Sequence, residues 1–195
     1  LIFYGSRSLH FECRNVIFLN STAVQRGGGI KIVDVVLVSI LYCIFHTNSV
    51  LFGEGGGMHI YNIGNMTMKK SHFRHNFAHT DGGGIIGQKI QNSDISQCYF
   101  VSNTAKQDGG GAFLSETDST YIYSVVFSNN SADNYGGGAS FQDISAILFV
   151  SSVIQNCSSG TDGGSLYINS TKHMIAFSCK FYNNSADASG GAIFV

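Results

Sequence analysis

Apolar and polar residues along this chain of 195 residues follow two rules at once, a local alternation of period two and a recurrence every 27 residues. The alternation is clearest after each cluster of glycines. The third residue past the first glycine is Ile30, Met58, Ile85, Ala112, Ala139, Leu166 or Ile193, and two further on come Ile32, Ile60, Gly87, Leu114, Phe141, Ile168 and Val195. Between them lies a mixed set, Lys31, His59, Ile86, Phe113, Ser140, Tyr167 and Phe194. Alternation places successive side chains on opposite faces, so this segment is predicted to be a strand with one face in a core. A second strand is expected at Ile40, Met68, Ile95, Ile122 and Phe149, with Val38, Met66, Ser93, Thr120 and Ile147 two residues before. A third carries Cys43, Ser71, Cys98 and Val125 two residues before Phe45, Phe73, Phe100 and Phe127. The phase slips by one between these pairs, as a corner or bulge requires. No stretch of a dozen residues carries a clean helical stripe.

The recurrence is exact enough to be read as columns. The first glycine of each group is Gly27, Gly55, Gly82, Gly109, Gly136, Gly163 or Gly190, a spacing of 27 with one step of 28. Upstream lie Phe18, Phe45, Phe73, Phe100, Phe127, Ile154 and Phe181; three residues later come Ser21, Asn48, Asn76, Asn103, Asn130, Cys157 and Asn184. Each unit thus reads F-x-x-N-x-A-x-x-D-G-G-G. A glycine loop that cradles phosphate is needed once, between one strand and one helix. Seven copies at fixed pitch describe a structural register instead, with glycine wherever the chain turns tightly.

Three strands in 27 residues leave no room for a crossover helix. The architecture predicted is all-β, a right-handed parallel β-helix of about seven coils, each with three short strands. Residues 1–195 form a single β-helix segment, read as an excerpt from a longer repeat array with more rungs expected on each side. The phenylalanines should stack as an inner ladder, each ring contributing on the order of 2 kcal/mol of burial, and the asparagines should form a buried amide ladder. Ile154 and Cys157 interrupt both ladders in one unit.

The paired tetrapeptides F-x-x-N and G-G-A-[aliphatic], present as "FSNN" with "GGGAS" and as "FYNN" with "GGAIF", resemble the repeats of chlamydial polymorphic outer membrane proteins. The resemblance runs through all seven units. It implies a β-helical passenger of a surface-exposed or secreted adhesin.

Composition narrows the function further. Charged residues make up 12% of the chain, about half the usual share, and 11 basic side chains face 12 acidic ones. No positive field is available for nucleic acid or anionic lipid. The most apolar run, Val35 to Phe45, is far shorter than the roughly 20 residues of a membrane-spanning helix.

Candidate chemistry is sparse. Glu54, Asp81 and Asp108 stack in one column just before the glycines, with Asp162 further along and Arg26, Tyr135 and Ser189 completing it. Aspartate there caps turn amides; a calcium site or a catalytic carboxylate set on the same column are the alternatives. His46, His72, His75 and His79 are dense in sequence but share no column, so no zinc site is expected. Cys43, Cys98 and Cys179 share a column without occupying adjacent rungs, and Cys13 and Cys157 lie elsewhere, so buried thiols are expected rather than disulfides formed by simple stacking. The sequon N-x-S/T occurs at Asn20, Asn65, Asn129, Asn156, Asn169 and Asn183, four of them in one column. Outward positions around Tyr121, Tyr123, Leu148, Val150, Ile175 and Phe177 are apolar, which would mark a lateral contact.

These features predict an extracellular structural or adhesive β-solenoid, a rigid rod for surface display, adhesion or assembly into a filament or coat. Its partners would be further copies of its own repeats, neighbouring subunits, or host and surface glycans. No catalytic residues, metal or cofactor are assigned. The alternative is a carbohydrate-active β-helix, a polysaccharide lyase or hydrolase whose site lies outside this segment.

Overall fold

The computed structural model describes residues 1–5 and 9–195. Among these residues there is no helix, and every paired strand runs parallel to its equivalent one repeat along. Phe18 pairs with Phe45, Phe45 with Phe73, Phe73 with Phe100 and Phe100 with Phe127. The described strands form one sheet of ten and two of seven. The chain is therefore a parallel β-solenoid of about seven coils with three sheets to the coil.

The three strands of a coil are divided differently from the expectation. The first two fuse into one strand of 12 residues, as in Ile30–Leu41, Met58–Lys69, Ile85–Ser96, Ala112–Tyr123 and Ala139–Val150. The Phe column sits in a strand of three residues such as Tyr99–Val101, and the Ala column forms a further strand of two such as Thr104–Ala105. Fusion is possible because the phase slip is taken up inside the long strand by one residue in the left-handed region. Asp34, Asn62, Lys89, Glu116 and Asp143 all have φ between 50° and 58°. The ladder resumes beyond them, Gln88 pairing with Ser115 and Ile90 with Thr117. The residue after the bulge then points inward, so Val35, Ile63, Ile90, Thr117 and Ile144 form a buried column that period-two counting missed.

Inside, the two expected ladders are present. The rings of Phe18, Phe45, Phe73, Phe100 and Phe127 lie 4.5–4.9 Å apart and within 9° of parallel. That is the spacing of adjacent strands, so rung pitch sets ring stacking. Asn76 shows the amide ladder: its Nδ2 donates to Phe45 O at 2.9 Å and to Asn103 Oδ1 at 2.9 Å. Its Oδ1 accepts from the Asn48 backbone N–H and Asn48 Nδ2 at 3.0 and 3.1 Å. Two donors and two lone pairs are all used, which makes a fully buried amide tolerable. At Cys157 the ladder thins: Asn130 Nδ2 meets a sulfur at 3.9 Å, while the Cys157 backbone N–H still reaches Asn184 Oδ1 at 2.9 Å.

Candidate functional surface

The column beside the glycine corner carries acids on three successive rungs, Glu54, Asp81 and Asp108. Asp81 Oδ1 accepts the Asp108 backbone N–H at 3.0 Å, and Asp108 Oδ1 accepts that of Tyr135 at 3.3 Å. Gln142 Nε2 donates to the other Asp108 oxygen at 3.1 Å. These carboxylates bind the turn of the next rung, as turn caps do. Burial pushes the Asp81 carboxyl up to about 6, against the backbone hydrogen bond that favours its charge, and raises Asp108 as well.

Glu54 differs. It binds Arg26 Nε at 2.8 Å and His59 Nε2 at 3.0 Å, and the His59 hydrogen bond, aided by Arg26, holds its carboxyl below the usual range. His59 was not singled out in the sequence because it sits in the mixed column, yet it is 1% exposed and its Nδ1 has no partner. The five-residue separation that carries it over the glycine corner to Glu54 was the available signal. A small cleft opens beside this pair, lined by Arg26, Lys31, His59, Tyr61 and Gln88.

The dense histidines separate into different pairings. His46 meets His75 edge-on with centroids 5.5 Å apart, His72 stacks on Tyr99 at 4.8 Å, and His79 lies against Phe52 at 6.0 Å. Burial, then the Arg74 charge, lowers the His72 pKa. Among the described residues no three metal-ligating side chains converge.

On the outer face of the long sheet, two columns change character along the axis. One runs Asp94, Tyr121, Leu148, Ile175 and the other Ser96, Tyr123, Val150, Phe177. Earlier rungs of these columns carry ion pairs, Arg14 with Glu12 at 2.8 Å and Lys69 with Asp94 at 3.2 Å. Later rungs carry exposed Tyr121, Tyr123, Leu148, Ile175 and Phe177, and Tyr121, Leu148, His173 and Ile175 line a largely apolar depression.

All six sequon asparagines are exposed. Asn20, Asn129, Asn156 and Asn183 occupy a left-handed corner with φ between 49° and 55°, a conformation asparagine tolerates better than most residues. The following residue is the ladder position, buried at Asn130 and Cys157 and half-buried at Ser21 and Asn184, and the third is a strand hydroxyl, of which Ser131 and Ser158 bond each other at 3.3 Å. Each residue of the sequon triplet thus has a structural reason of its own. Asn65 lies on the long strand and accepts from Asn92 at 2.9 Å.

Four of the five cysteines are buried and Cys179 is half-buried. No two of the five share adjacent rungs of one column, but stacking is not the sole route to contact: the Sγ atoms of Cys13 and Cys43 lie 3.5 Å apart across neighbouring columns. The five are free thiols, as expected, and the Cys13–Cys43 proximity is one that column-by-column stacking did not show.

The last unit decides the repeat type. Residues 178–195 match the Chlamydia polymorphic membrane protein repeat. The match holds the "FYNN" and "GGAIF" of the seventh unit, and the same columns recur in the six units before it, paired rung on rung. Residues 178–195 are thus similar to a polymorphic membrane protein repeat, within a chain whose coils form a β-helix. No curated protein and no solved structure matched the chain. In such a repeat the conserved-looking letters of the motif, Phe, Asn and Gly, all face inward or form the corner. The outer columns are therefore where one coil of this chain can differ from the next without cost to the inner ladders.

Proposed function

We propose that this chain is part of an extracellular, surface-displayed β-solenoid, a rigid rod whose outer face makes adhesive or assembly contacts. The observation that carries the reading is the change on the outer sheet from ion pairs to exposed Tyr121, Tyr123, Leu148, Ile175 and Phe177 on the same columns. A solvent-facing sheet needs no such residues for its own stability, and contiguous exposed apolar groups mark interaction surfaces. The repeat type supports a surface location. No helix among the described residues is long and apolar enough to cross a membrane.

Microspheres coated with the chain should adhere to cultured animal cells, and the variant combining Tyr121→Ser, Leu148→Ser and Ile175→Ser should lose most of that adhesion with its β-sheet circular dichroism intact. Equal adhesion by the triple variant would remove this face from the proposal. Against a polysaccharide lyase or hydrolase stands the engagement of Asp81 and Asp108 by backbone amides and of Glu54 by Arg26 and His59. Incubation with acidic polysaccharides should yield neither new reducing ends nor unsaturated products; turnover would reverse the ranking. The exposed sequons extend the proposal to a sugar-bearing edge at Asn129, Asn156 and Asn183 when the chain passes through a eukaryotic secretory pathway. Intact-mass measurement before and after deglycosylation checks that point.

A further inference from the structure

Cys13 and Cys43 lie on successive coils, 30 residues apart in sequence, with Sγ atoms 3.5 Å from each other. Cys13 pairs in the ladder with Ile40. Cys43 stands three residues beyond, past the left-handed corner at Tyr42 with φ of 57°. That corner turns the Cys43 side chain back into the core, where its thiol also reaches Cys13 O at 3.3 Å. Cys98, Cys157 and Cys179 point their thiols to the carbonyl two residues before, at Ser96, Gln155 and Phe177, at 3.3, 3.3 and 3.5 Å, as Cys43 does to Leu41 O at 3.4 Å. What sets Cys43 apart is the sulfur of Cys13; among the described contacts none of the other three has a second sulfur beside it.

We propose that Cys13 and Cys43 are a disulfide site, a covalent cross-link that ties one coil of the rod to the next. Closing the gap to a bond of about 2.0 Å needs an approach of roughly 1.5 Å between the two sulfurs. The co-reactant is a small-molecule disulfide such as oxidised glutathione. One cysteine loses its proton to solvent and its sulfur attacks the oxidant, releasing one thiol and leaving a mixed disulfide. The second cysteine loses its proton and displaces the other half, forming the Cys13–Cys43 bond. Two protein thiols are oxidised, one oxidant disulfide is reduced to two thiols, and those thiols take up two protons. Burial, together with the Cys43 hydrogen bond, lifts the Cys13 thiol to about 12, so attack from the closed state is slow and the bond forms as the coils dock during folding. The inference stands apart from the adhesive reading, since it concerns only how two coils are joined.

The test is refolding of the whole chain with oxidised and reduced glutathione, followed by alkylation of remaining thiols and peptide mapping. The expected result is one linked peptide pair containing Cys13 and Cys43, with Cys98 and Cys157 alkylated. Hydrogen exchange in the strands His10–Arg14 and Ile30–Leu41 should be slower in the oxidised form by about tenfold or more. The Cys43→Ser variant should leave Cys13 without an intramolecular partner; mapping of the unmodified chain decides the matter even where that variant folds poorly. Recovery of both Cys13 and Cys43 as free thiols after oxidative refolding, or pairing of either with Cys179 or with a second chain, would overturn the proposal.

Discussion

Gly109 and Ser102 sit seven residues apart on one coil, and both are left-handed, with φ of 67° and 54°. One corner is glycine in every unit, Gly27 through Gly190; the other is filled by Asn20, Thr47, His75, Ser102, Asn129, Asn156 and Asn183. The backbone angle therefore does not explain the glycines. The difference is what a side chain would meet. A Cβ on Gly109 would overlap the Ala112 carbonyl and come within 2.9 Å of Phe113 Cβ, because the chain doubles back within three residues. At Ser102 the chain runs on into the strand Thr104–Ala105 and the side chain faces outward, half exposed. Positive φ costs a residue with a Cβ on the order of 1 kcal/mol, which a fold of this size absorbs at many corners. Collision with backbone cannot be absorbed locally.

The largest expected effect tests that distinction directly. Gly109→Ala should destabilise the chain by about 3–5 kcal/mol, adding overpacking against immovable backbone to the left-handed penalty. Urea denaturation read by circular dichroism measures it. A loss below about 1 kcal/mol would mean the glycine corner is no tighter than the others.

A smaller, pH-dependent effect follows from the residue before each glycine. Asp81 titrates at about 6 in the folded chain against 3.8 for the free side chain, chiefly through burial. Its raised pKa means the folded state prefers the protonated form. The associated stability is fully present below about pH 4, is lost as pH rises toward 6, and is absent above. Two pH units correspond to about 3 kcal/mol at most. Asp81→Asn keeps an oxygen to accept the Asp108 N–H and removes the charge. It should therefore stabilise the chain by about 2 kcal/mol at pH 8, change little at pH 4, and flatten the pH dependence between. Thermal melts across that range check it, and an unchanged profile would show that Asp81 is solvated in solution.

Sequence made the inward columns readable because stacking imposes the same demand on every rung. Phe45 over Phe73 over Phe100, and Asn76 over Asn103, are repeated answers to one geometric question. Features that depend on diagonals or on non-glycine corners were hidden. The bulge inside the long strand carries Asp34, Asn62, Lys89, Glu116 and Asp143, a set with no common side-chain chemistry, so two predicted strands turned out to be one. Val35 and Ile63 were lost from the predicted core for the same reason. The contact of Cys13 with Cys43 and the partnership of His59 with Glu54 cross columns, and a column-by-column reading does not see them. The apolar outer stripe at Tyr121, Leu148 and Ile175 was legible, since its phase followed from the inner columns.

The smallest effect has the opposite sign. Thr47 occupies the open corner with φ of 55°, its backbone N–H donating to Arg74 O at 3.0 Å and its side chain exposed. A β-branched residue is the poorest tenant of left-handed backbone, and asparagine among the best of those with a Cβ. Thr47→Asn should raise stability by about 0.5–1 kcal/mol, measurable by urea denaturation of material made in a bacterial host. No contact in the folded chain is gained, so the increment isolates the cost of the corner itself. A loss of stability would show that the open corners, like the glycine one, select on surroundings rather than backbone. The substitution also creates the triplet Asn-Asn-Ser, the same as at Asn129. A sequon thus arises whenever the favoured corner residue precedes the buried ladder amide and the strand hydroxyl, which is how a structural grammar can write a glycosylation signal on successive rungs.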